Sequence, residues 1–260
     1  MAKKATGEMP FLDHLEELRW RIIWSLGAIV VGLILGFVIV VKLQLIRILQ
    51  APIAPLLAGN KLVITSPGDS FSISLSAAMV VGIIIAAPVI IYQIWAFLSP
   101  ALYRHEKKVV IPVIIGAVGL FVAGVALAYF FVLPMVLRFL LTWQSESFDP
   151  MITASGYFGL VMTLALTFGA AFELPILILA LAALGLVTPQ FLARFRPYAL
   201  VLTFVVSAFV TPGDILLASL ALTAPLYLLY ELSVLLTRVV FRKRNQEAFT
   251  TEQTTAGGLA

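Results

Sequence analysis

Long apolar runs, separated by short segments that hold most of the charge, set the pattern of this chain. A helix crosses roughly 30 Å of hydrocarbon in about 20 residues at a rise of about 1.5 Å per residue, so each run can be tested for length. The runs 20–41, 71–98, 109–134 and 157–187 pass and predict four spans. The sequence Ser66-Pro67-Gly68-Asp69-Ser70 supplies a turn and a cap ahead of the second. Pro112 falls in the first turn of the third, where a missing N–H is tolerated. The last apolar region is cut by Thr211-Pro212-Gly213-Asp214, a turn by residue type, and so predicts a hairpin of two further spans, 197–210 and 215–236. Its first arm rises only roughly 21 Å, so either the bilayer thins there or the hairpin stops short of the far surface. The expected fold is all-α and integral to the membrane, a single six-span domain over 1–244 followed by a polar, disordered tail at 245–260.

Charge assigns the sides. With six alternating spans and the N-terminus inside, thirteen of the seventeen Lys and Arg residues lie on the inner side; only Lys42, Arg47, Lys61 and Arg138 lie outside. Basic loops stay cytoplasmic, so both termini are expected in the cytoplasm. A single continuous last span would export Arg242-Lys243-Arg244, and the same count therefore favours the hairpin. Lys3 and Lys4 precede the first run at too great a distance, with Asp13, Glu16 and Glu17 between, for a cleaved signal peptide, and an uncleaved first span is expected. On the outer side, Leu43–Leu57 sets Ile46, Leu49 and Ile53 at helical spacing, and Val136–Trp143 is similarly apolar; both predict short helices at the outer interface.

Composition agrees: 62% of the 260 residues are hydrophobic and 12% charged, more apolar surface than a water-soluble globule of this size buries. The net charge of +4 sits beside apolar runs and reports orientation, not nucleic-acid binding. There is no cysteine, His14 and His105 stand apart, and neither HExxH, GxSxG, a Walker loop nor GxGxxG occurs, so no metal site, cofactor or enzyme chemistry is indicated.

Three acids carry the candidate chemistry. Phe11–Arg19 projects as an amphipathic helix with Phe11, Leu15 and Leu18 on one face and Asp13 and Glu17 opposite. Glu17 pairs with Arg21 at i,i+4 in the plain reading, or belongs to an acidic patch open to a basic ligand in the sharper one. Glu106 is the exception in a basic loop and either pairs with Arg104 or a neighbouring Lys or complements a helix start. Glu173 falls near the middle of the fourth span, where a charge costs a few kcal/mol, which makes it a functional candidate against the plain reading of a hydrogen-bonded interior acid. Glu231 can reach the interface and reads as structural, and Asp214 as a cap for the helix that follows it.

Several stretches resemble one family. They are Phe11-Leu12-Asp13-His14-Leu15-Glu16-Glu17-Leu18-Arg19, Ala51-Pro52, Ala87 to Phe97, Pro100 to Glu106, Phe168 to Pro175, Arg196-Pro197-Tyr198 and Thr211-Pro212-Gly213-Asp214. In this order the chain resembles TatC, the multi-spanning core of the twin-arginine (Tat) protein translocase, over about Phe11 to Arg242.

The resemblance implies a concave, glove-like wall of six spans in the cell membrane and a receptor that binds the twin-arginine signal peptide of folded cargo at its cytoplasmic face. The signal site it implies comprises Glu17, Arg19, Phe97 and Glu106; two guanidinium groups need carboxylates in a fork geometry, and these are the acids in the two expected places. It implies partner contacts at Glu173, Thr211 and Asp214, structural parts for Pro52 and Pro88, assembly with single-span TatA/TatB-type subunits, and further copies of the chain within the complex. Leu216, Leu217 and Ala218 stand where some relatives have polar residues, which shifts partner contacts onto Thr211 and Asp214, and Met151–Gly156 carries no acid where some relatives have one. A proton-coupled small-solute transporter using Glu173 is the alternative, opposed by the lack of an inverted repeat.

Overall fold

The computed structural model describes residues 11–57, 61–98, 110–142, 151–183, 185–210, 219–220 and 222–239. Apart from one isolated bridge between Val63 and Thr153, every regular element among them is helical. Five helices are long and apolar enough to cross a membrane: Leu15–Lys42, Asp69–Phe97, Val113–Thr142, Ala154–Ala182 and Leu222–Val239. The fifth predicted arm is the shorter apolar helix Arg196–Val210. The predicted turn Thr211-Pro212-Gly213-Asp214, the first residues of the sixth predicted span, 215–218, and the tail 245–260 lie outside the described residues. The chain forms two compact units, one of 1–45 with 74–118, the other of 46–73 with 119–260.

In the first unit, α1 (Phe11–Lys42) packs on α3 (Asp69–Leu98), of which residues from Ser74 onward belong to this unit. The helix begins at Phe11, ahead of the apolar run, so the amphipathic segment and the span are one element. Gly32 and Gly36 on α1 face Ala78 and Gly82 on α3 so closely that a Cβ on Gly82 would stand 2.7 Å from the Gly32 carbonyl carbon and from the Leu33 nitrogen. Helices in lipid gain little from burying leucine, which is as well solvated by acyl chains, and associate through close backbone approach at small residues spaced four apart. The rest of α1 keeps its large side chains outward; Trp20, Trp24, Val31 and Ile34 are all exposed, the surface a lipid solvent accepts. Pro88 lies on the exposed side of α3 without ending the helix, as prolines in spans do.

The second unit begins at Ile46, within α2 (Leu45–Leu49), and continues to a 3₁₀ turn at Ala54–Leu56; these are short helices in the stretch Leu43–Leu57 where short helices are predicted, with Pro52 in the turn between them and Ile53 fully buried. The second predicted outer helix is a correction. Residues 133–142 form α5 (Leu133–Thr142), which continues α4 (Val110–Leu127) through a π-helical turn at Ala128–Val132 instead of standing apart. Pro134 has no N–H and its ring crowds the carbonyl four residues back; a wider turn before it, with the Leu133 N–H donated to the Ala128 carbonyl, lets the helix pass through.

The fourth run is also two helices, α6 (Ala154–Phe172) and α7 (Leu174–Ala183), broken at Glu173. Thr153 caps α6 by accepting from the Gly156 N–H at 3.2 Å. Gly185, at φ +75°, ends α7 ahead of the expected Val187, with Leu186 N–H closing on the Leu181 carbonyl at 3.0 Å in the Schellman pattern. Gly124 of α4 meets Phe168 and Phe172 of α6, and Gly169 of α6 meets Phe121, a second crossing made close by glycine. Then come α8 (Pro189–Arg194), α9 (Arg196–Val210) and α10 (Leu222–Val239). The two tyrosines Tyr129 and Tyr157 donate to the last carbonyls of α2, Ile48 and Leu49, tying that segment down.

Candidate functional site

Glu17 is on α1, four residues before Arg21, and Arg21 donates to Glu17 Oε1 through both Nε and Nη2. Of the two readings of Glu17, the intrahelical pair is therefore formed. Both side chains are about one-fifth exposed, so the pair is partly withdrawn from solvent. From the other end of the same guanidinium, Arg21 Nη1 lies 3.5 Å from Gln93 Oε1 on α3, at the outer limit of a hydrogen bond. Gln93 precedes Phe97 by one helical turn, so the two share a face of α3. The structure thus links the helix bearing Glu17 to the helix bearing Phe97 through Arg21 and Gln93, two residues to which sequence reasoning gave no part in this link. Arg19 is exposed on α1 and Phe97 half-buried on α3. Glu106 lies outside the described residues.

Glu173 occupies the break between α6 and α7. Its N–H bonds back to Ala170 and Ala171 carbonyls, and its carbonyl receives the Leu177 N–H, so the backbone is satisfied where Pro175 removes a donor. Its side chain is different: among the described residues, Oε1 is buried without a hydrogen-bond partner. A buried acid left so is expensive and marks a place for a polar group from elsewhere or for a proton.

Glu231 is structural, as expected. It accepts from Arg196 Nη2 at 2.7 Å and from the Tyr227 hydroxyl at 2.9 Å, joining α9 to α10. Tyr230 donates to the Leu192 carbonyl of α8 at 2.6 Å, above a small core of Ile178, Leu192 and Val234. Thr211 and Asp214 lie outside the described residues, beyond the end of α9. That helix presents Tyr198, Val201, Leu202 and Phe209 outward.

A family model described as Sec-independent protein translocase protein (TatC) matches residues 13–225. The chain belongs to the TatC family. TatC of Aquifex aeolicus (strain VF5) is 38% identical over 240 residues, 92% of this chain and 98% of that one. TatC of Escherichia coli (strain K12) is 35% identical, covering 92% of each chain. TatCy of Bacillus subtilis (strain 168) is 33% identical over 99% of this chain and all of the relative. A crystal structure of the twin-arginine translocase receptor TatC superimposes with a TM-score of 0.79 at 38% identity, covering 87% of this chain and 98% of that one. As a TatC-family protein with several apolar spans, the chain is a multi-pass membrane subunit of the Sec-independent translocase, a transport component and not an enzyme.

The glycine crossing was missed at the sequence level, although Gly32 and Gly36 carry its signal, a GxxxG inside an apolar run. Gln93 carried none, since a lone amide near a span end has no spacing to read.

Proposed function

We propose that this TatC-family chain is the signal receptor and assembly scaffold of its translocase, with Glu17 and Glu106 accepting the paired arginines of a signal peptide on folded cargo. The observation that carries this reading is the Glu17 carboxylate, partly withdrawn from water and already engaged by a guanidinium at the head of α1. A carboxylate so held has the geometry an arginine side chain needs, and a planar fork distinguishes guanidinium from ammonium. Phe97, half-buried one turn from Gln93, packs against the signal chain, and exposed Arg19 offers donors to its carbonyls. Six crossings in one membrane domain over 1–244, with both termini cytoplasmic, bring these groups to the side from which cargo arrives; the basic-residue distribution supports that orientation.

Single-span TatA/TatB-type subunits and further copies of this chain complete the complex. The Glu173 oxygen that has no partner among the described residues and the outward apolar face of α9 support partner contacts there, with Thr211 and Asp214 following α9 in the sequence.

Site-specific crosslinking of a twin-arginine signal peptide to the full chain in membranes tests the site. Glu17→Gln and Glu106→Gln should each lower the yield at least tenfold, and a signal with Lys-Lys in place of Arg-Arg should crosslink less to the native chain. Undiminished crosslinking in both variants removes these acids from the site.

A further inference from the structure

The two donors that Arg21 directs at Glu17 converge on one oxygen, Oε1. That is a weaker arrangement than two parallel bonds from one guanidinium to both carboxylate oxygens, the fork that an arginine arriving from outside the helix is free to adopt. Arg21 is bound to approach along its own helix, four residues on, and its reach dictates the one-oxygen grip. Its third contact points elsewhere: Nη1 lies 3.5 Å from Gln93 Oε1, a neutral acceptor on α3. If Arg21 leaves Glu17, a hydrogen-bond acceptor already lies within reach of its guanidinium.

Resting on the reading that Glu17 receives a signal arginine, we infer that Arg21 is an intramolecular placeholder for that arginine, and that binding is an exchange in which the signal guanidinium takes Glu17 and Arg21 transfers to Gln93. The exchange sets a threshold. A ligand gains only the difference between its own hold on Glu17 and that of Arg21, so the placeholder weakens every ligand by the same factor; a guanidinium able to form the two-oxygen fork clears that threshold, and an ammonium, a point donor and the weaker binder from the start, falls below it. The resting pair also keeps the carboxylate from collecting stray cations at a surface rich in lysine and arginine.

The test is titration of labelled Arg-Arg and Lys-Lys signal peptides onto the full chain in nanodiscs, read by fluorescence anisotropy. Arg21→Gln should tighten Arg-Arg binding roughly two- to threefold, the scale of a partly exposed i,i+4 ion pair, because the competent fraction rises. It should tighten Lys-Lys binding by the same factor, because the placeholder is removed for both peptides, so the ratio of the two affinities stays constant. Arg21→Lys, which keeps the charge and is the milder change for folding, should tighten both peptides by a smaller common factor. Gln93→Leu should weaken Arg-Arg binding in the native background and have little effect when combined with Arg21→Gln, since no placeholder is left to receive. Unchanged Arg-Arg and Lys-Lys affinities in both Arg21 variants overturn the placeholder, as does a Gln93→Leu effect of equal size in the two backgrounds. Glu17→Gln is the separate control: if it binds Arg-Arg peptide as well as the native chain, the site reading itself fails, whereas loss of binding there with unchanged affinities in the Arg21 variants refutes only the exchange.

Discussion

Tyr157 illustrates how much rests on one hydroxyl. It is almost fully buried on α6, and its O–H donates to the Leu49 carbonyl at the end of α2, a group no helical N–H reaches. Tyr157→Phe keeps the ring and leaves that carbonyl unpaired, which should cost about 1–3 kcal/mol. Tyr129→Phe removes the same kind of bond, to Ile48, at a more exposed position where water can replace it, and should cost less. Thermal unfolding of the purified chain in one detergent ranks the two; equal losses contradict the burial argument. The Arg196–Glu231 pair, with side chains 40% and 30% exposed, is a different case, and its removal should change stability by less than about 1 kcal/mol.

At the scale of elements, the glycines divide into those that make contacts and those that do not. Gly82 on α3 has α1 backbone where its Cβ would stand, while Gly27 on α1 has nothing within 4 Å. Gly82→Ala should therefore destabilise the chain by about 1–3 kcal/mol or force the helices apart, and Gly27→Ala should be neutral or stabilise by up to about 1 kcal/mol from helix propensity. Unfolding midpoints of the two variants decide it; a Gly82→Ala chain as stable as native would mean that α1 and α3 part freely. The apolar spacing made the long helices and the α2 segment legible in the sequence, and the i,i+4 rule found the Glu17–Arg21 pair. Hydropathy could not foresee that the stretch from Val136 to Thr142 would join the helix before it, because Pro134 looks like a stop until a π turn accommodates it. Nor could it foresee Gln93, since contact between residues 72 positions apart depends on how α1 and α3 cross, and hydropathy is blind to crossing geometry.

For the whole molecule, the lack of cysteine turns orientation into a clean measurement, since a single introduced thiol has no background. Lys61→Cys should label with an impermeant maleimide in intact cells, and Arg244→Cys only after the membrane is opened. Labelling of both from outside would sink the cytoplasmic placement of the C-terminus. Within the unit that holds α1, the Gly32–Gly82 contact is the close point about which any tilt of α1 on α3 would turn. Glu17 lies fifteen positions up the helix from Gly32, about 22 Å away at a rise of about 1.5 Å per residue, so a rocking of about 5° at the crossing displaces the carboxylate by roughly 2 Å. That sweep is enough to make or break a hydrogen bond, so a small rotation deep in the bilayer becomes a change of grip at its surface.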